Sequence, residues 1–133
     1  MRDNPTNFVR TLLLELEDNS GNLWLADRSG FLRVQPVAYL NALPRGQIGA
    51  SYKTESTEVE AMQGGFNIVS QDVEITFVST NHDALVRIEQ DLFRVLNDRE
   101  RTEGRVLAVV GPSEDWDDDN KRYSRSIDLT VSR

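Results

Sequence analysis

The residues best able to do chemistry stand near the C-terminus, in SEDWDDDNKRYSRSIDLTV, residues 113–131. Glu114, Asp115, Asp117, Asp118 and Asp119 surround Trp116 and run into Lys121, Arg122 and Arg125. Such a run is a metal site, a catalytic acid cluster or a solvated turn. Spacing separates these readings. Asp115, Asp117 and Asp119 take positions one, three and five of a calcium loop, but Asn120 replaces the turning glycine and Ser126 the bidentate glutamate. A two-metal hydrolase needs carboxylates gathered from separate elements, and these lie in one loop. A solvated loop is the default for a charge run of this kind.

Other chemistry-bearing residues are sparse. His82 is the only histidine, at the start of a helical pattern, so no histidine pair or dyad can form. It reads as a surface residue in a first turn. QGGF and RGQIGAS match neither a phosphate-binding loop nor a dinucleotide fingerprint, and no nucleophile elbow is present. Trp24 and Trp116 read first as packing anchors. Trp116, set among carboxylates, is either tucked against a sheet or left for a partner.

The elements that must position these residues follow from length and patterning. The chain has 133 residues, a length suited to one domain with its own core. With no cysteine it has neither a disulfide framework nor a thiolate metal site. Its formal charge of −7, with no basic stripe, disfavours sequence-specific nucleic-acid binding. The N-terminal stretch lacks a signal-peptide pattern, and no apolar run reaches the roughly 20 residues of a membrane span. The expectation is a soluble intracellular product with no cofactor, no metal and no catalytic role.

Asn4 and Pro5 open a helix whose apolar face is Val9, Leu12, Leu13 and Leu16, stopped by DNSG at 18–21; alternation in LELE offers a strand over 11–17 as the rival. SGNLWL (20–25) and SGFLRV (29–34) echo each other as a pair of short strands, followed by a long loop around 36–65. Within that region the polar YKTESTEVEA reads as an edge strand or an extended loop. FNIVSQDVEITFVST has the strongest strand signal, with Val73, Ile75 and Phe77 on one face. Thr80 and Asp83 form a capping box for a helix carrying Leu85, Ile88, Leu92, Val95 and Leu96. RVLAVVG is a short apolar strand, and Tyr123, Ile127, Leu129 and Val131 alternate in a closing one. The order predicts a single α+β domain with a largely antiparallel sheet and two helices on one face.

The succession DVEITFVSTNHDALVRIEQDLFRVL, acidic DWDDDNKRY and alternating SIDLTVSR resembles the tail terminator (tail completion) proteins of long-tailed bacteriophages, best over residues 66–133. Residues 20–60 depart from that layout. The resemblance implies a non-enzymatic virion protein of the tail and neck, made in the host cytoplasm. It would close into a ring, commonly a hexamer, cap the tail tube protein and dock to the head–tail connector or neck protein. DNA would pass through the channel without sequence-specific binding, aided by acidic walls. The residues expected to make partner contacts are Asp115, Trp116, Asp117, Asp118 and Asp119, with Arg45, Tyr52 and Lys53 from the long loop. Alternatives are another neck or minor tail protein, a small metal-binding hydrolase using the acidic loop, and an adaptor that binds a peptide along YKTESTEVE.

Overall fold

The structure, a computed structural model, describes residues 4–18, 20–25, 48–98, 102–119 and 121–133. Its elements in chain order are α1 (Pro5–Leu14), β1 (Gly49–Met62), β2 (Gly65–Ser79), α2 (His82–Asn97), β3 (Val106–Asp117) and β4 (Arg122–Ser132). The strands form one antiparallel sheet in the order β1-β2-β4-β3. Both helices cover the same face, so the expected α+β domain is what the chain forms.

Alternation places the core. Val73, Ile75 and Phe77 of β2 and Ile127, Leu129 and Val131 of β4 are buried, and they pair across the ladder as Val73 with Leu129 and Ile75 with Ile127. Directly paired residues share a sheet face, so these side chains form one apolar surface. Val9, Leu12 and Leu13 of α1 and Leu85, Ile88 and Leu92 of α2 close over it. The opposite face of the sheet carries Asp72, Glu74, Thr76, Asp128 and Thr130 and has no helix over it among the described residues.

Helix α1 starts as expected: the Asn4 side chain accepts from the Asn7 N–H, and Pro5 follows. It ends earlier than expected, at Leu14, with Glu15 as its C-cap. Leu16 still reaches the core, because the Asp18 carboxylate accepts from the Ser20 and Asn22 N–H groups and turns the chain back. Leu23 then bridges Glu17, and Trp24 N–H donates to the Leu16 carbonyl. The second echo at 29–34 lies outside the described residues. Helix α2 is capped by Asn81, which accepts from Ala84 N–H, rather than by Thr80.

Within the long loop expected around 36–65, the edge-strand reading of YKTESTEVEA is the one the chain forms, and the strand starts a little earlier. Residues 49–62 are β1, an edge strand paired throughout with β2. Beyond Ser70 no third strand follows among the described residues, and β1 and β2 continue as a two-stranded arm turned by Gln63 and Gly64. Gly64 has φ +96, a conformation that favours glycine. The polar pattern of β1 left an extended loop open as the rival, because an arm exposed on both sides buries nothing periodically. No helix among the described residues is long and apolar enough to cross a membrane.

Candidate functional site

The expected acidic loop is mostly strand. Asp115, Trp116 and Asp117 belong to β3, and only Asp118 and Asp119 stand in the turn before β4. The carboxylates serve that hairpin. Asp115 Oδ1 accepts from Trp116 N–H at 2.8 Å, Asp117 Oδ1 from Asp119 N–H at 3.0 Å, and Asp118 pairs with Lys121 at 2.8 Å. Asx-type bonds of this sort are how Asp residues build turns. Asp115, Asp117 and Asp118 are therefore engaged in bonds local to this hairpin.

Alternation along β3 sends Glu114 and Trp116 to the helix side, where they pair with Arg125 and Tyr123, and sends Asp115 to the open side opposite Ser124. Trp116 is neither fully tucked nor free. Its ring lies against Tyr123 with centroids 4.6 Å apart, and 43% of it stays exposed. Tyr123 also meets the His82 ring edge-on at 5.1 Å.

Here the fold assembles a group no local pattern announces. Arg125 donates to Glu89 through Nε at 2.5 Å and Nη2 at 3.1 Å, and through Nη1 to Glu114 at 3.2 Å. Glu114 Oε1 also meets His82 Nε2. The Arg125 and Glu89 side chains are only 15% and 9% exposed. This forked pair ties the β3–β4 hairpin to α2. The signal in the sequence was phase: Arg125 alternates with Tyr123, Ile127 and Leu129, and Glu89 falls on the apolar stripe of α2.

The hydrogen bond and charge of His82, followed by the contact with Arg125, hold the Glu114 carboxyl below the usual carboxylate range. A carboxylate lowered in the folded state adds stability above its ordinary range, which is lost as pH falls through its lowered value. Glu114→Gln is therefore expected to flatten the acid limb of the stability–pH curve below about pH 4.5 while leaving that curve's shape near neutrality unchanged. Chemical denaturation across that range reads it.

The described carboxylates spaced closely enough to share a cation are elsewhere. Glu55 in the β1 bulge, Glu74 and Asp128 place carboxylate oxygens within 4.8 Å of one another on the open face. Asp128 Oδ1 is buried without a hydrogen-bond partner. Burial raises the Asp128 carboxyl, and Glu55 and then Asp72 raise it further against the opposing charge of Lys53. A raised acid penalises the native state once pH climbs past its ordinary range. Asp128→Asn should add about 1 kcal/mol at pH 7, with the gain vanishing below about pH 4. Melting at the two pH values measures it.

Of the long-loop residues, Arg45 lies outside the described residues. Tyr52 and Lys53 are on β1 rather than in a loop. Tyr52 is half-buried against the core, opposite Ile75, and Lys53 is exposed on the open face near Asp128. Tyr52 is therefore a packing residue, because its position in the ladder aims it at the helix layer. The exposed surfaces that sequence reasoning missed are apolar. Phe66 in the arm is 78% exposed, and Leu107 and Val110 of β3 are 60% and 64% exposed. A continuous apolar run in β3 looks like a strand buried on both faces, yet it sits at the sheet edge. Trp24, by contrast, is an anchor: its indole N–H donates to Asp91 and its ring packs on the core.

No family model matches this chain, and no curated protein sequence is significantly similar to it.

Proposed function

We propose that this protein is a non-enzymatic assembly subunit of the tail-terminator kind, a ring-forming piece that caps a tube and docks to a connector. The observation that carries the reading is β3. An edge strand exposed from Leu107 to Asp117, with Leu107, Val109, Val110 and Trp116 uncovered, is a surface that wants a protein partner. A monomer gains nothing from leaving such side chains in water.

The edges themselves are blunted. Pro112 lacks an N–H, and register shifts interrupt β3 at Val106/Ala108 and Val110/Ser113. Gly111 serves the second irregularity: its φ is +117, and a Cβ there would meet the Ser126 carbonyl at 3.0 Å. The β1 edge has two register shifts as well. Partners accordingly meet side chains on the flanks and not a smooth ladder, which favours subunits in a closed ring over an open-ended sheet. The tail tube protein and the connector are the heterologous partners of this reading, and the virion tail or neck is its place. The −7 charge suits a channel that DNA must cross without adhering.

The metal-binding hydrolase is the second reading, and among the described residues only the Glu55–Glu74–Asp128 grouping favours it; the acidic run of β3 does not. Electron microscopy of the purified protein separates the two. Annular particles with an open centre support the terminator; only small compact particles, alone and with tail tube protein added, count against it.

A further inference from the structure

Trp116 is braced by the hairpin and still open to water. Its ring tilts against Tyr123, Tyr123 is met edge-on by His82, and close to half of Trp116 remains exposed. A large aromatic fixed in this way loses little freedom when a partner lies on it. Glu114 stands two residues before Trp116 on the same face of β3, about 7 Å away along the strand. Both contacts of the Glu114 carboxylate, to His82 and to Arg125, use Oε1. Its Oε2 has no partner among the described residues, and the side chain is 43% exposed.

The charge at this end of the molecule is one-sided. From Glu114 to Arg125 the chain has five carboxylates against Lys121, Arg122 and Arg125, and Asp83 and Glu89 of α2 add two more. Those cations are already engaged. Lys121 is paired with Asp118, Arg125 with Glu89 and Glu114, and Arg122 stands opposite Asp117 on the open side of the sheet. Asp83, exposed in the first turn of α2 beside His82, has no hydrogen-bond or ion-pair partner among the described residues. An open indole beside a free carboxylate oxygen, in a surplus of negative charge, fits a planar cation. A guanidinium stacks on an indole face and donates within its own plane to a carboxylate, which an ammonium cannot do. The same surplus turns phosphate away.

We propose that the tip of the β3–β4 hairpin receives an arginine of a partner protein, its guanidinium lying on Trp116 and donating to Glu114 Oε2. The inference rests on the assembly reading above for the existence of that partner, and adds the chemistry by which the partner is held: an exposed arginine where it meets this subunit.

A short, end-blocked glycine–arginine peptide tests it, titrated into the full chain while nuclear magnetic resonance follows the Trp116 indole N–H. Two twins of the peptide run beside it, one with citrulline, which keeps the shape and loses the charge, and one with lysine. The expected result is a shift at the Trp116 indole, with binding at least about tenfold weaker for the citrulline twin and about threefold weaker for the lysine twin. Trp116→Leu and Glu114→Gln should each weaken the arginine peptide about fivefold. Glu60→Gln removes an equal charge from the arm and should leave binding within about twofold. Circular dichroism checks that each variant is folded. A citrulline or lysine twin that binds as well as the arginine peptide overturns the site. So does a loss in Glu60→Gln equal to that in Glu114→Gln, which would reduce the binding to a general attraction of charge. Annular particles that bind no peptide at millimolar concentration overturn this site and leave the ring standing. Peptide binding by a protein that stays monomeric, alone and with tail tube protein, supports the site and overturns the ring.

Discussion

Arg125→Ala should cost about 3 kcal/mol and lower the melting temperature by about 10 °C. The guanidinium is held by both oxygens of Glu89, and neither side chain has much access to water. Removing it leaves the Glu89 carboxylate in the interface between α2 and the sheet with its charge uncompensated. The loss is therefore far larger than the 0–1 kcal/mol typical of surface pairs such as Lys121–Asp118, whose side chains are 61% and 82% exposed. Arg125→Lys should recover only part of it, since an ammonium cannot reproduce the fork. Replacing both partners, as Arg125→Met with Glu89→Leu, should restore most of the stability, because no charge then remains buried. Calorimetry on the set checks this; a loss under about 1 kcal/mol for Arg125→Ala would mean that Glu89 is solvated after all.

Phe77→Ala should be costlier still, at about 4 kcal/mol, whereas Phe66→Ala should change monomer stability by less than about 0.5 kcal/mol. The two phenylalanines lie on the same strand. Phe77 is fully buried at the centre of the core, where truncation removes apolar contact and leaves a cavity. Phe66, near the tip of the arm, touches water over most of its surface. The effects on assembly should be reversed, with Phe66→Ala weakening it and Phe77→Ala acting only through unfolding. Denaturant melts at a concentration where the subunit is monomeric, set beside assembly measurements, separate the two roles. A loss of more than 1 kcal/mol for Phe66→Ala in the monomer would place its ring in an intramolecular contact instead.

Periodicity made the fold class legible. Val73, Ile75 and Phe77 in alternation, and Leu85, Ile88 and Leu92 at helical spacing, required a sheet and a helix sharing one core, and these residues build it. Local chemistry was less decisive at the ends. Thr80 and Asn81 are both competent caps, and which one closes the helix depends on the side chain that reaches Ala84 N–H. Leu16 keeps the apolar rhythm of α1 although the helix has ended, because burial fixes the position of a side chain and not the conformation of its backbone.

The candidate site was harder to read because its contacts are tertiary. His82 and Glu114 are 32 residues apart, and Arg125 and Glu89 are 36 apart. The acidic run drew attention by its composition, yet three of its aspartates are engaged in local bonds of their own hairpin. The carboxylates that do converge, Glu55, Glu74 and Asp128, come from three strands and are spread through the sequence. β1 read as an edge strand or an extended loop, because strand character there comes from pairing with β2 and not from burial.

On the proposed function, subunits of this chain close on one another through surfaces the monomer leaves bare. The mass of the purified protein in solution, by sedimentation equilibrium over a wide concentration range, tests it most directly. For a subunit of 15.1 kDa, a hexameric ring corresponds to about 91 kDa under closed cyclic symmetry. A single species near that mass, independent of concentration above its assembly threshold, is the predicted result. A mass of 15.1 kDa at every concentration, unchanged when tail tube protein is present, would contradict it.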